Sequence, residues 1–181
     1  TGRAVTDAEL AAIQVQLATL PAGATERAEL DGLRGKAAVA NARLAYAAFE
    51  QTIALPRFQA LKARGAHVQR PLWASTSTKN PAYRDVLYVE ELIGPDTVNT
   101  MPPATLVAFN DHGHVESRIR HDIAGAHSTF ARLTELGVPV DLLISQLEGE
   151  GVKSFAKSFD DLLATLETRR RELVAQRGTG R

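Results

Sequence analysis

Arg70-Pro71-Leu72-Trp73-Ala74-Ser75-Thr76-Ser77-Thr78-Lys79-Asn80-Pro81-Ala82-Tyr83 marks a change of character in the chain. Pro71 to Ser75 is apolar and ends in a hydroxyl, and Thr76 to Asn80 is polar. That order reads as a buried strand opening into a loop rather than as a helix. Working outward, Asp85–Leu92 reads as a short helix stopped by Gly94-Pro95. Thr97-Val98-Asn99-Thr100-Met101, β-branched and punctuated by Pro102-Pro103, is a second strand candidate. Pro103–His112 follows as a helix closed by Gly113, then a weaker third strand over Val115–Ile119 and a helix over Asp122–Leu136. Short strands each followed by a helix predict parallel pairing in an α/β layer or barrel.

The flanks are helical. Thr6 with Glu9 forms a capping-box pattern, and Leu10, Ile13 and Leu17 share one helical face. Pro21-Ala22-Gly23 breaks the chain. Thr25–Ala54 then reads as one long Ala-rich helix, and Pro56–Arg64 as a short one with proline in its first turn. Beyond the third strand candidate, Val140–Leu147 and Val152–Val174 are predicted as two helices, with 177–181 a frayed basic tail.

Composition narrows the function. Apolar residues make up 44% and charged residues 23%, which excludes wholesale disorder. Lys plus Arg and Asp plus Glu are both 21, so the chain lacks the net charge of a nucleic-acid or anionic-membrane binder. Without cysteine it has no disulfide framework, thiolate zinc site or cysteine nucleophile. No apolar run approaches a bilayer span. Thr1-Gly2-Arg3-Ala4-Val5 carries no basic-then-apolar leader and no initiating Met, so the expectation is a soluble, cytoplasmic piece whose residue 1 is not the translation start.

Several stretches resemble one family. Arg70–Tyr83 is similar to the sixth strand and following loop of bacterial transaldolases, closest to the longer type found in actinobacteria and in fusions with glucose-6-phosphate isomerase. Asp85-Val86-Leu87-Tyr88-Val89-Glu90-Glu91-Leu92-Ile93-Gly94-Pro95-Asp96 leads into Thr97–Met101, and together they resemble the family through its seventh strand. Leu33-Arg34-Gly35-Lys36-Ala37-Ala38-Val39-Ala40-Asn41-Ala42-Arg43-Leu44-Ala45-Tyr46 resembles its fifth-helix region. Leu147-Glu148-Gly149-Glu150-Gly151-Val152-Lys153-Ser154-Phe155 and Ser158-Phe159-Asp160-Asp161-Leu162-Leu163 resemble its C-terminal helices. The resemblance implies part of a (βα)8 barrel, strands six to eight with their helices, since a closed barrel takes about 250 residues. Residues 1–24 are then an N-terminal helical segment and 25–176 the C-terminal half of that barrel.

The resemblance also implies an activity. The family moves a dihydroxyacetone unit between sugar phosphates in the pentose phosphate pathway, through a Schiff base on a strand-four lysine. A strand-one aspartate and a strand-three glutamate handle protons. The segments that would carry these three residues are absent here, so no catalytic residue is assigned and the chain alone is expected to be inactive. The five lysines include Lys36, Lys62, Lys153 and Lys157 in helical patterns. Lys79 lies in a loop four residues past Ser75, whereas a Schiff-base lysine projects from inside a strand.

Five residues are candidate substrate or phosphate contacts. The resemblance makes Ser75, at a strand's C-terminal end, a substrate or catalytic-water contact; a strand-tying hydroxyl is the structural alternative. Lys79 aligns loosely with the family's phosphate-gripping cation, or is a solvated loop residue. Thr100 either lines the pocket or caps its strand. Arg118 and Arg120 alternate about Ile119, which puts both on one face where one could reach phosphate. His67, His112, His114, His121 and His127 carry no acidic ligand pattern, so no metal is expected. No organic cofactor is expected either, because a lysine imine is itself the electron sink. The expected partners are sugar phosphates and either the missing barrel half or a second copy, with neither nucleic acid nor membrane. The alternatives are a non-catalytic helical scaffold and a phosphosugar-binding module.

Overall fold

The strands β1 (Leu72–Trp73) and β2 (Val98–Asn99) pair in parallel, Leu72 opposite Val98 and Trp73 opposite Asn99. The Val98 N–H donates to the Pro71 carbonyl and the Thr100 N–H to the Trp73 carbonyl, each at 2.9 Å. This computed structural model describes the backbone of residues 2–78 and 80–178 and the side chains of 10–78 and 80–176. The helices are α1 (Gly2–Thr19), α2 (Thr25–Gly32), α3 (Ala37–Ala54), α4 (Pro56–Lys62), α5 (Leu87–Glu91), α6 (Pro103–His112), α7 (Ile123–Glu135) and α8 (Val140–Gly178). The chain divides into two units, Thr1–Val140 and Asp141–Arg181.

The first unit is held by helix packing around a small sheet. Tyr46, Leu92 and Ile119 form a buried cluster against which Ala42, Phe49 and Trp73 pack. Trp73 thus joins the sheet to α3, as an aromatic on a strand between layers does. The widest helix–helix packing is α3 on α7, where small residues, Ala37, Ala40 and Ala126 among them, are buried. Ile13 and Leu17, one turn apart on α1, are also buried. Arg27 of α2 donates to the Leu17 carbonyl at 2.5 Å, satisfying an acceptor that the end of α1 leaves without an intrahelical partner.

Parallel pairing holds, as do the helix Pro103–His112 and the break at 21–23. Four expectations require correction. Thr6 is not an N-cap, because α1 already begins at Gly2. Thr25–Ala54 is two helices, not one: Gly35 adopts φ +73, and a Cβ there would lie 2.5 Å from the Tyr83 hydroxyl oxygen. Tyr83 therefore packs onto a turn that only glycine can supply. Val115–Ile119 is not a strand. Its donors leave the ladder pattern, since the Arg118 and Ile119 N–H groups both reach the Ile93 carbonyl and Val115 is exposed. Val140–Val174 is one helix, because Gly149 and Gly151 stay helical and meet nothing that would bend the chain.

Candidate functional site

The C-terminal ends of the two strands gather hydroxyl groups. Past Trp73 the chain turns at Ser75, a non-glycine residue at φ 57 and exposed to solvent. Left-handed backbone is costly for a residue with a Cβ, so this conformation is imposed by its surroundings. The Ser75 N–H donates to Thr100 Oγ1 at 3.3 Å and the Thr76 N–H to the Thr100 carbonyl at 3.2 Å. The buried Thr76 hydroxyl donates to Asn99 Oδ1 at 2.7 Å. Thr100 and Thr76 are thus engaged in tying the strand ends together, while among the described residues the Ser75 hydroxyl has no hydrogen-bond partner. Lys79 lies outside the described residues. The loop beyond it is closed by Asn80, whose Oδ1 accepts from the Ala82 N–H at 2.9 Å.

Behind this rim, α5 carries two carboxylates in different settings. Glu90 is buried and accepts from Arg84 Nη1 at 2.8 Å, Arg84 Nη2 at 3.1 Å and the His114 N–H at 3.0 Å. Burial pushes its carboxyl up, and the His114 N–H and the Arg84 guanidinium outweigh that, holding it below the usual range. Glu91 accepts from Arg43 at 2.6 Å and Arg118 at 3.2 Å. Arg118 also meets Glu116 at 2.8 Å.

Arg120 goes elsewhere. It pairs with Glu50 at 2.6 Å and stands 5.7 Å over the Tyr46 ring. With no strand at 115–119, the two arginines do not share the face that alternation assigns them. Arg118 is met by Glu91 and Glu116, and Arg120 by Glu50.

His112 bridges Asp85 and Asp111. Its Nε2 is 2.9 Å from Asp85 and its Nδ1 is 3.1 Å from Asp111. Hydrogen bonding to Asp85, then to Asp111, raises the imidazole above its ordinary value, and the same contact lowers Asp85. Asp85 is distant in sequence, and α6 brings the ring to it. Among the described residues no group of three or more His, Asp or Glu is arranged to hold a metal.

Sequence reasoning also passed over Glu90 and Arg84. The available signal was Glu90 one turn beyond Val86 and next to Val89, a carboxylate on an otherwise apolar face. A cavity of about 630 Å³ lies between the α2–α3 turn, α5 and α7. Lys36, Arg43, Tyr83, Glu91 and Arg132 line it; Ser75 and Thr100 do not.

Residues 15–166 match the transaldolase/fructose-6-phosphate aldolase family. The chain belongs to that family. It is 52% identical over 139 residues to a transaldolase of Frankia alni, covering 76% of this chain and 38% of that protein. A Mycolicibacterium smegmatis transaldolase is 54% identical over 132 residues, 72% of this chain and 36% of the relative. For a Trichodesmium erythraeum transaldolase the figures are 44% over 152 residues, 83% and 40%. The chain therefore spans well under half the length of the curated relatives it matches.

Proposed function

We propose that the chain is the C-terminal part of a transaldolase. In the complete protein it helps transfer a dihydroxyacetone unit from sedoheptulose 7-phosphate to glyceraldehyde 3-phosphate, a cytoplasmic step of the pentose phosphate pathway. The observation that supports this most is the unbroken family match across β1 and β2, whose parallel C-terminal ends present the Ser75 hydroxyl. In this reading residues 25–176 supply strands six to eight of a (βα)8 barrel with their helices, 1–24 lead into them and 177–181 trail as a basic tail. Enzymes of that architecture build their sites on the C-terminal rim of the strands.

The chemistry needs an amine that condenses with the donor ketose and draws off the electron pair as the carbon–carbon bond breaks. That lysine comes from the part of the family absent here. Ser75 contributes its hydroxyl to substrate or to the water of imine hydrolysis, and Thr100 fixes the backbone beside it. Lys79 is the phosphate-holding cation of this reading. Arg118 and Arg120 serve phosphate only by exchanging their carboxylate partners, which makes them secondary.

Two proteins test the proposal. The chain alone, treated with fructose 6-phosphate and borohydride, should show no three-carbon mass adduct on any lysine. Joined to the preceding segment of the Mycolicibacterium smegmatis relative, it should give both adduct and transfer. An adduct on the chain alone would refute the assignment of the lysine to the absent part. A folded chimera without transfer, beside an active relative, would leave the non-catalytic scaffold and the phosphosugar-binding module.

A further inference from the structure

The loop that leaves β1 is fastened at both ends by contacts within the first unit. At its start the Thr76 N–H and hydroxyl are tied to Thr100 and Asn99. At its far end two neighbouring residues are held by different parts of the fold. Tyr83 lies on the turn between α2 and α3, where a Cβ at Gly35 would come within 2.5 Å of its hydroxyl oxygen and 2.6 Å of its Cζ. Arg84 sets its fork on Glu90, Nη1 at 2.8 Å from one carboxylate oxygen and Nη2 at 3.1 Å from the other. Glu90 is only 1% exposed and also accepts the His114 N–H, so the carboxylate that receives the fork is itself fixed. The Tyr83 N–H donates to the Asn80 carbonyl and the Leu87 N–H to the Arg84 carbonyl, each at 3.1 Å, which closes the exit from the loop into successive turns leading to α5.

Fastening a loop at both ends removes freedom that binding would otherwise have to freeze out. A bidentate guanidinium on a buried carboxylate fixes direction as well as distance. Glu90 belongs to α5 and Gly35 to the α2–α3 turn, so each acts on the loop only through its neighbour there. We propose that Tyr83, seated on the Gly35 turn, and Arg84, seated on Glu90, are positioning residues that preset the β1–α5 loop for the phosphate of a sugar substrate. This rests on the reading that the loop, through Lys79, holds phosphate. It adds that the tightness of that hold is set from behind the loop. Neither residue takes part in the amine chemistry, so their loss falls on binding and spares turnover.

The test uses the protein completed with the preceding segment of the Mycolicibacterium smegmatis relative. Arg84→Met and Tyr83→Ala should each raise KM for fructose 6-phosphate about 3- to 10-fold with kcat nearly unchanged. Calorimetry should show the Kd of inorganic phosphate rising by the same factor. Glu90→Gln should copy Arg84→Met, and the double variant should be no worse than either, because both break one pair. The Arg84 side chain is 60% exposed, so its replacement leaves the core in place and keeps the test decisive where a buried substitution unfolds the protein. Unchanged KM and phosphate binding in Arg84→Met, beside a Lys79→Ala variant that loses both, overturn the positioning role and leave the phosphate reading standing. A parent that binds no phosphate, or a Lys79→Ala variant that binds it unchanged, overturns the inference together with that reading. A loss confined to kcat, or losses that add in the double variant, overturn it as well.

Discussion

The Thr76 hydroxyl donates to the Asn99 side-chain oxygen at 2.7 Å, joining the residue just past β1 to the last residue of β2. Thr76 is buried, so Thr76→Val removes the only protein donor described for that oxygen while keeping the volume. Leaving a half-buried acceptor unmade costs about 1–2 kcal/mol. Urea denaturation should show that loss for Thr76→Val and much less for Thr76→Ser. Equal losses would mean that the methyl group, not the hydroxyl, holds the strand ends.

Glu90 contributes to acid stability. Its folded-state pKa is lowered, so its contribution is present above the ordinary carboxylate range and disappears as pH falls through the folded value. Arg84 is largely solvated, which screens that pair, and the buried carboxylate with the His114 N–H carries most of the effect. Glu90→Gln should cost about 1–3 kcal/mol at neutral pH. It should also flatten the acid limb of the stability profile; an unchanged acid limb would assign that limb to other carboxylates.

For His112 the sign is opposite. A raised imidazole pKa favours the folded contact fully below the ordinary value of 6.5, and the contact weakens as pH rises through the folded value. Ring-proton NMR should place the His112 midpoint above 6.5, and Asp85→Asn should move it down. A midpoint indifferent to Asp85 would mean that the bridge between α6 and the start of α5 does not form in solution.

What the sequence made legible was governed by local chemistry. Pro71–Ser75 and Thr97–Met101 have the composition of paired strand ends, and Pro103 with Gly113 brackets α6, so these features could be read directly. The split at Gly35 could not: Thr25–Ala54 is helical in propensity throughout, and the turn is set by Tyr83, remote in sequence. Val115–Ile119 misled because Val115 and Ile119 would share one face of an extended segment, whereas the Arg118 and Ile119 N–H groups both turn to the Ile93 carbonyl. Ser75 and Thr100 could be placed together because both end strands, whereas the partners of Arg118 and Arg120 depended on where Glu91 and Glu50 came to lie.

Ser75 combines strain with a hydroxyl that has no hydrogen-bond partner among the described residues, and substitution separates the two. Its φ of 57 is a conformation that glycine reaches without a steric penalty. Relief of that penalty is partly offset by the greater freedom of glycine in the unfolded chain, leaving Ser75→Gly more stable by about 0.5 kcal/mol. Ser75→Ala keeps the strain and loses only the hydroxyl, so its stability should match the parent. In a protein completed with the preceding segment of a relative, both variants should lose transfer activity by about 10- to 100-fold if the hydroxyl meets substrate or water in the transition state, roughly 1.4–2.8 kcal/mol. Denaturation and transfer rates measured on the same pair of variants decide the matter. A more stable Ser75→Gly that keeps full activity would leave Ser75 with a structural role only, its hydroxyl idle at the end of β1.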